Sequence, residues 1–203
     1  MSLSVDFITN SIFNSRTYIL SLKESDVVWL VDCGDTNRIL ERIGSKSVEG
    51  VVLTHTHSDH IYGLGLLMDR FPSVKVYTNT YGEKALKSAK LNLSHYHSEY
   101  PDITIENHRN VRILKEGDTV RILGMKCSVY ETPGHDPSCL AFLVDGNLFT
   151  GDAFIPGARV FTGFPHSNKD QAQQSFERIN ELSKNCRIMP GHTFIAGCDS
   201  IIE

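Results

Sequence analysis

The chain has no C-x-x-C pair, no block of basic side chains, and no apolar run of about 18 residues of the kind that spans a membrane. Each absence removes a class of protein. The five cysteines, Cys33, Cys127, Cys139, Cys186 and Cys198, are odd in number and widely spaced. That spacing argues for reduced thiols in a cytoplasmic protein rather than a disulfide framework. The opening residues, Met1-Ser2-Leu3-Ser4-Val5-Asp6, lack both the basic and the apolar part of a signal peptide. With 20 basic against 24 acidic residues, net charge −4 and no basic cluster, neither a nucleic acid nor a membrane is an expected partner. No internal repeat, low-complexity tract or linker divides the sequence. Its 203 residues, 40% apolar and 22% charged, suit one globular domain over residues 1–203 with a sizeable core.

What the chain does have is concentrated in Thr54-His55-Thr56-His57-Ser58-Asp59-His60, entered from the apolar run Val51-Val52-Leu53. Neutral imidazoles beside a carboxylate are the donor set that zinc and similar divalent ions take. Three further candidates occupy similar settings: His135 after Pro133-Gly134, Asp152 after Thr150-Gly151, and His192 after Pro190-Gly191. Each follows an apolar run and a glycine, the pattern of a strand that ends in a tight turn and presents a side chain at the sheet edge. Strand ends that converge in this way would build a single site.

The coarse pattern is α/β or α+β. Thr17 to Leu22 and Val27 to Val31 read as adjacent strands, Gly50 to Thr54 as the strand feeding the histidines, and Val74 to Thr78 as another. Thr36 is a candidate cap for a short helix bearing Ile39, Leu40 and Ile43. Helices are expected over Ile61 to Arg70, stopped by Pro72, and over Gly82 to Lys90. Strands follow at Thr119 to Leu123, Lys126 to Glu131, Cys139 to Val144 and Asn147 to Thr150, the last two joined by the hairpin signal Asp145-Gly146. A final helix runs from Lys169 to Ser183, capped by Ser167 or Asn168, with Ala172, Phe176 and Ile179 facing the sheet. Trp29 and Phe142 fit strand patterns as core residues.

With Asp32 in Val31-Asp32-Cys33-Gly34, these elements run in one order from residue 32 to residue 192. In that order the chain resembles the metallo-β-lactamase-fold hydrolases, and within them the glyoxalase II-like (hydroxyacylglutathione hydrolase-like) branch. The resemblance implies a four-layer αββα sandwich. It also implies two divalent metal ions, zinc first, with iron or manganese as alternatives. His55, His57 and His135 would hold one ion, Asp59, His60 and His192 the other, and Asp152 would bridge them. The implied reaction is cleavage of a thioester or related acyl bond in a small-molecule substrate by a hydroxide held between the metals. Asp59 and Asp152 are then the catalytic carboxylates, with Asp59 either a ligand or a base for the water proton. Asp32 is implied as a hydrogen-bonding support of the metal loop; on the residues alone it is equally a strand-end aspartate in a turn.

In glyoxalase II the loop after the bridging aspartate carries Gly-x-Gly-Lys/Arg-Phe-Tyr/Phe-x-Gly. Here that stretch is Gly157-Ala158-Arg159-Val160-Phe161-Thr162-Gly163, which makes Arg159 and Phe161 the substrate-binding candidates. Only 11 residues follow His192, where full glyoxalase II enzymes continue into a helical domain with basic residues for glutathione. The expected likeness is therefore to single-domain relatives, and the departure bears on the thiol carrier more than on the reaction. Two other classes stay open: a persulfide dioxygenase-type oxidoreductase with one iron, and a non-catalytic metal- or ligand-binding module. Nuclease relatives are disfavoured by the charge, diiron flavoproteins by His57 standing where they carry a glutamate, and exported β-lactamases by their different second-site ligand. His95 and His97 read as an exposed loop or helix end rather than another metal site, and His108 carries no signal. The polar, aromatic stretch from Leu91 to Arg109 is either a lid over the site or a surface excursion, while His166 either faces substrate or does not.

Overall fold

The computed structural model describes residues 2–98, 100–105 and 109–193. His108 and Cys198 lie outside them, as does part of the stretch from Leu91 to Arg109. A six-stranded sheet takes β1 (Ser4–Thr9), β2 (Arg16–Ser21), β3 (Val27–Val31), β4 (Ser47–Val52), β5 (Lys75–Thr78) and β6 (Val111–Ile113) in that spatial order. A five-stranded sheet takes β7 (Thr119–Ile122), β8 (Met125–Glu131), β9 (Leu140–Val144), β10 (Asn147–Gly151) and β11 (Arg187–Pro190), also in chain order. The helices are α1 (Thr36–Ile43), α2 (Ser58–Ile61), α3 (Leu64–Arg70), α4 (Thr80–Leu86) and α5 (Lys169–Leu182). No helix among the described residues is long and apolar enough to cross a membrane.

Strand periodicity explains the layering. Alternate side chains point to opposite faces of a strand, so β3 sends Trp29 and Val31 one way and Val28 and Leu30 the other. Trp29 and Val31, with Tyr18 and Leu20 of β2 and Val52 of β4, pack against Ile122, Val129, Phe142 and Phe149 of the second sheet. The opposite face of the first sheet meets Ile39 and Ile43 of α1, Ile61 of α2, Leu64 and Leu67 of α3 and Leu86 of α4. On the far side of the second sheet, Ala141 and Leu148 meet Ile179 and Phe176 of α5. The order is helix, sheet, sheet, helix: the αββα sandwich expected from the resemblance. Trp29 and Phe142 are core residues, as their patterns suggested.

Several local expectations change. β1 and β6 were not read from the sequence. They are the two edges of the first sheet and leave most of their side chains at least partly exposed, so their apolar pattern is weak. Thr36 does not cap α1: Asp35 occupies that position, and the Thr36 hydroxyl donates to the Gly63 carbonyl at 2.6 Å. The helix expected over Ile61 to Arg70 is two helices, broken where the Gly63 amide turns to Cys33 O at 3.1 Å. The helix expected over Gly82 to Lys90 starts earlier, because the Asn79 side chain caps it by accepting from Gly82 N. It also ends earlier, and Asn92 Nδ2 donates to the Ala85 carbonyl beyond it. At the β9–β10 hairpin, Asp145 and Gly146 both take positive φ, 48° and 74°, as the turn demands. Asn168 rather than Ser167 caps α5.

Candidate metal centre

The ends of β3, β4, β8, β10 and β11 meet at one edge of the sandwich. Two backbone hydrogen bonds join the sheets there: Leu140 N donates to Thr54 O and Arg16 N to Gly191 O, both at 2.7 Å. The loop after β4 carries His55, His57, Asp59 and His60, the turn after β8 carries His135, and Asp152 and His192 follow β10 and β11. Close approach makes glycine necessary at two of these turns. A Cβ on Gly134 would lie 2.2 Å from Ala172 N of α5, and one on Gly191 would lie 2.1 Å from Asp152 Oδ1.

All seven residues singled out by the histidine and aspartate pattern are brought together. Their donor atoms form three groups, each within 4.8 Å: His55–His57–His135, His55–His60–Asp152 and Asp59–His60–His192. All are buried except Asp152, whose side chain is 11% exposed. Asp152 touches both ends of the cluster, with Oδ1 3.5 Å from His60 Nε2 and Oδ2 3.3 Å from His192 Nε2 and 3.8 Å from His135 Nε2. Asp59 Oδ2 lies 3.3 Å from His60 Nε2 and 3.2 Å from His192 Nε2.

Outer contacts fix the inner nitrogens. His135 Nδ1 donates to Phe161 O at 2.9 Å, His192 Nδ1 to Phe13 O at 3.1 Å, and His60 Nδ1 to Asp32 Oδ2 at 2.9 Å. His55 Nδ1 sits 3.3 Å from Thr54 Oγ1, whose own proton goes to Asp32, so the imidazole donates. His57 is turned the other way, with Nδ1 3.0 Å from His135 Nε2. An imidazole that donates from one nitrogen presents a lone pair at the other. His55 and His135 therefore each present a lone pair at Nε2; His57 Nδ1 lies 3.0 Å from His135 Nε2, and His60 Nε2 lies 3.2 Å from His192 Nε2. His55 Nε2 and Asp152 Oδ1 are buried with no hydrogen-bond partner. Orphaned buried acceptors are satisfied by cations, and imidazoles with carboxylates, crowded together as here, are the donors divalent metals take. The residues fit such ions.

Charge within the cluster is unevenly shared. Burial, with His60 nearby, drives the His55 pKa well below its usual value, and burial with His57 lowers that of His135 to about 4. Both are ready to ligate without losing a proton. Burial also works against a charged His192, but Asp152 and Asp59 outweigh it and raise its pKa to about 10. His60 is raised likewise by Asp59 and Asp152 against the effect of burial. Asp59 and Asp152 stay ionised: their histidine neighbours overcome the burial that would protonate them.

Asp32 stands at the back of the loop as the resemblance implied. It accepts from Thr54 N and Thr54 Oγ1, both at 2.7 Å, besides His60. Phe161 contributes its carbonyl to His135, and its ring, 47% exposed, packs on Phe164 at 4.8 Å. Phe164 in turn lies 4.8 Å from the His57 ring. Arg159 lines a surface groove of about 400 Å³ with Lys169, Gln173 and Phe176 of α5. Across the centre, Tyr100 Oη is 2.7 Å from Ser58 Oγ, and its ring stacks on His97, which packs on Phe13. This part of the stretch from Leu91 to Arg109 is thus seated on the metal loop. His95 is exposed and pairs with Asp102, and His166 is exposed with its ring 6.0 Å from Tyr81. Cys33, Cys127 and Cys139 are buried free thiols and Cys186 a half-buried one.

The sequence reading missed Asp136, whose Oδ2 lies 3.4 Å from His57 Nε2, Ser138, whose amide donates to Asp136 Oδ1 at 2.8 Å, Phe164 and the carbonyl of Phe13. Asp136 had a signal, a carboxylate next to a candidate ligand. A backbone carbonyl has none.

Comparison with known proteins agrees with this geometry. The family described as "Metallo-beta-lactamase superfamily" matches residues 14–192. Among curated proteins, the chain is 30% identical over 175 residues to a hydroxyacylglutathione hydrolase of Enterobacter sp. (strain 638), covering 84% of this chain and 59% of that one. It is 28% identical over 200 residues to another of Prochlorococcus marinus (strain MIT 9312), covering 90% and 71%. The chain thus spans about three-fifths of the length of the Enterobacter relative. Among solved structures, the BLEG-1 B3 metallo-β-lactamase superposes with a TM-score of 0.85 at 22% identity, covering 94% of this chain and 92% of that one. TTHA1623, solved in a di-iron-bound form, gives 0.77 at 24% identity over 94% and 93%, and ETHE1 from Myxococcus xanthus 0.72 at 22% over 95% and 77%. Fold, histidine–aspartate cluster and family match converge: the chain belongs to the metallo-β-lactamase superfamily.

Proposed function

We propose that the chain is a metal-dependent hydrolase of thioester or related acyl bonds in small molecules, glyoxalase II-like, working with two divalent ions, zinc in preference to iron or manganese. The observation that carries this reading is the pair of donor groups with Asp152 in contact with both. His55, His57 and His135 would hold one ion, Asp59, His60 and His192 the second, and Asp152 would be shared. When bound, such a pair supplies a nucleophile ionised near neutral pH and a Lewis acid for the acyl oxygen.

The chain's own groups do the rest. Hydrolysis breaks the acyl C–S bond, places the water oxygen on the acyl carbon and delivers one proton to the departing sulfur. Asp59, held ionised between His60 and His192, is the group to orient the water and carry that proton. Asp152 keeps both donor groups in one arrangement. Phe161 and Phe164 give the substrate an apolar wall beside His57, and Arg159 is the cation for a carboxylate on the thiol carrier. The curated relatives named hydroxyacylglutathione hydrolase support the thioester class.

The test is thiol release from a panel of S-acyl thiols, S-lactoylglutathione included, by metal-loaded protein. Turnover that Asp59→Asn reduces by roughly 100-fold or more supports the reading. Absence of turnover across the panel, with oxygen consumed on glutathione persulfide by protein carrying one iron, would replace it with the dioxygenase. Two complete donor groups favour the hydrolase, since a one-iron site needs only one.

A further inference from the structure

Another buried carboxylate, Asp136, follows His135 directly. Asp136 is 3% exposed, and its Oδ2 lies 3.4 Å from His57 Nε2, a buried nitrogen that has no hydrogen-bond partner and for which this carboxylate is the ion-pair neighbour. Nε2 is the outer nitrogen of that imidazole, because Nδ1 faces His135 Nε2 at 3.0 Å. Asp136 is itself held. Its Oδ1 accepts from Ser138 N at 2.8 Å and from the Ser138 hydroxyl. That hydroxyl accepts in turn from Thr56 N and Thr56 Oγ1, both at 3.0 Å. A serine hydroxyl has one proton and two lone pairs, so Ser138 is fully used and its proton has only Asp136 to go to. The chain of contacts runs from Thr56, between His55 and His57, through Ser138 and Asp136, and back to His57. It clasps the loop after β4 to the turn after β8, the two segments that supply His55, His57 and His135.

Asp32 does the same work on the other side, joining Thr54 to His60. Each histidine group therefore has one buried carboxylate behind it. The two histidines differ in what is fixed: His60 is held through Nδ1 and offers Nε2, whereas His57 offers Nδ1 and must be held through Nε2.

We infer that Asp136 is the positioning residue of His57: it keeps the imidazole proton on Nε2, aims Nδ1 into the centre, and with Ser138 sets the spacing of the loop after β4 from the turn after β8. The inference rests on the metal-centre reading above for its consequence, but the tautomer it assigns belongs to the protein without metal. Loss of such an outer partner costs roughly 10–100-fold in metal affinity.

The experiment uses the full chain, wild type, Asp136→Ala, Asp136→Asn and Ser138→Ala. Long-range ¹⁵N–¹H spectra of the metal-free protein report the His57 tautomer, and competition of Zn²⁺ against a chromophoric chelator reports the affinity of each site. Wild type is expected to show His57 with its proton on Nε2. Asp136→Ala is expected to lose that preference and to weaken one of two sites by roughly 10–100-fold, leaving the other near its wild-type value. Asp136→Asn keeps an oxygen acceptor and is expected to fall in between. Ser138→Ala keeps the carboxylate but loosens it, and gives a smaller loss at the same site, so the inference stays open to refutation if Asp136→Ala does not fold. An Nε2 proton and zinc affinity unchanged in Asp136→Ala overturn the inference while leaving the metal centre standing. Equal weakening of both sites overturns it too, since a general loss of structure then accounts for the effect. Wild-type protein that binds no zinc overturns the proposed function together with the affinity claim, while the tautomer is still read on its own.

Discussion

The Asp32 carboxylate meets His60 Nδ1 at 2.9 Å with both side chains sealed from solvent. Asp32 does this from a left-handed backbone, φ 62°, a conformation that aspartate and asparagine tolerate better than most residues. Its two oxygens also take Thr54 N and Thr54 Oγ1. Asp32→Ala strands three buried donors and is expected to destabilise the metal-free chain by about 3–5 kcal/mol. Asp32→Asn keeps the backbone preference and part of the hydrogen bonding, and should lose less. Urea unfolding of the three proteins measures this. A loss under about 1 kcal/mol for alanine, the net value of one ordinary hydrogen bond, would mean the contact is not structural.

Gly134 sets how closely α5 approaches the His135 turn. Asn168 N donates to Gly134 O at 2.8 Å, Ser175 Oγ to Pro133 O at 2.6 Å and Ser167 Oγ to His135 O at 2.7 Å. A methyl group at Gly134 meets helix backbone rather than a yielding side chain, and its φ of 133° disfavours any side chain. Gly134→Ala is expected to cost about 2–4 kcal/mol and lower Tm by roughly 5–10 °C. Thermal unfolding followed by circular dichroism checks it, and an unchanged Tm would show that α5 is not held at this distance in solution.

Metal uptake should depend on pH unequally at the two donor groups. In the metal-free protein His192, with its pKa raised to about 10, and His60, also raised, hold protons at pH 7. A metal must displace these protons, so affinity at the Asp59–His60–His192 group rises with pH up to about 10, roughly tenfold per unit for each proton displaced. His55 and His135 are lowered, His135 to about 4, and hold no proton to displace between pH 6 and about 8. Zinc titrations at pH 6, 7 and 8, in buffers of different ionisation enthalpy, should resolve one steep site and one shallow site. Equal slopes would contradict this distribution of charge.

The thiols give a check on the core that is independent of metals. Burial pushes Cys33 and Cys127 up to about 12 and Cys139 well above the ordinary thiol range. At pH 8 they should resist iodoacetamide until the chain is unfolded, whereas the half-buried Cys186 reacts in the native state. Peptide mass spectrometry assigns the sites. Rapid native labelling of Cys33 would contradict the packing behind the metal loop.

Much of the centre was legible because its signals are local. His55, His57, Asp59 and His60 fall in one loop, and the glycines before His135, Asp152 and His192 mark strand ends where a side chain turns inward. The core strands were legible for a similar reason, since Val27–Val31 and Leu140–Val144 are buried along nearly their whole length. Edge strands bury too little to imprint a pattern, which hid Ser4–Thr9 and Val111–Ile113. Hydrogen bonds distant in sequence were also hidden. Nothing in the spacing of Thr36 and Gly63, or of His57 and Asp136, says that they touch. The break between α2 and α3 and the orientation of His57 both depend on such contacts.

Metal content per chain by elemental analysis, paired with thioester hydrolysis on the same sample before and after chelation and in His57→Ala, decides whether a two-metal hydrolase is present. About two metal ions per chain are expected, with turnover that is lost on chelation, restored by zinc and absent from His57→Ala. One ion per chain with no thioesterase activity, or turnover that survives complete metal removal, would contradict it.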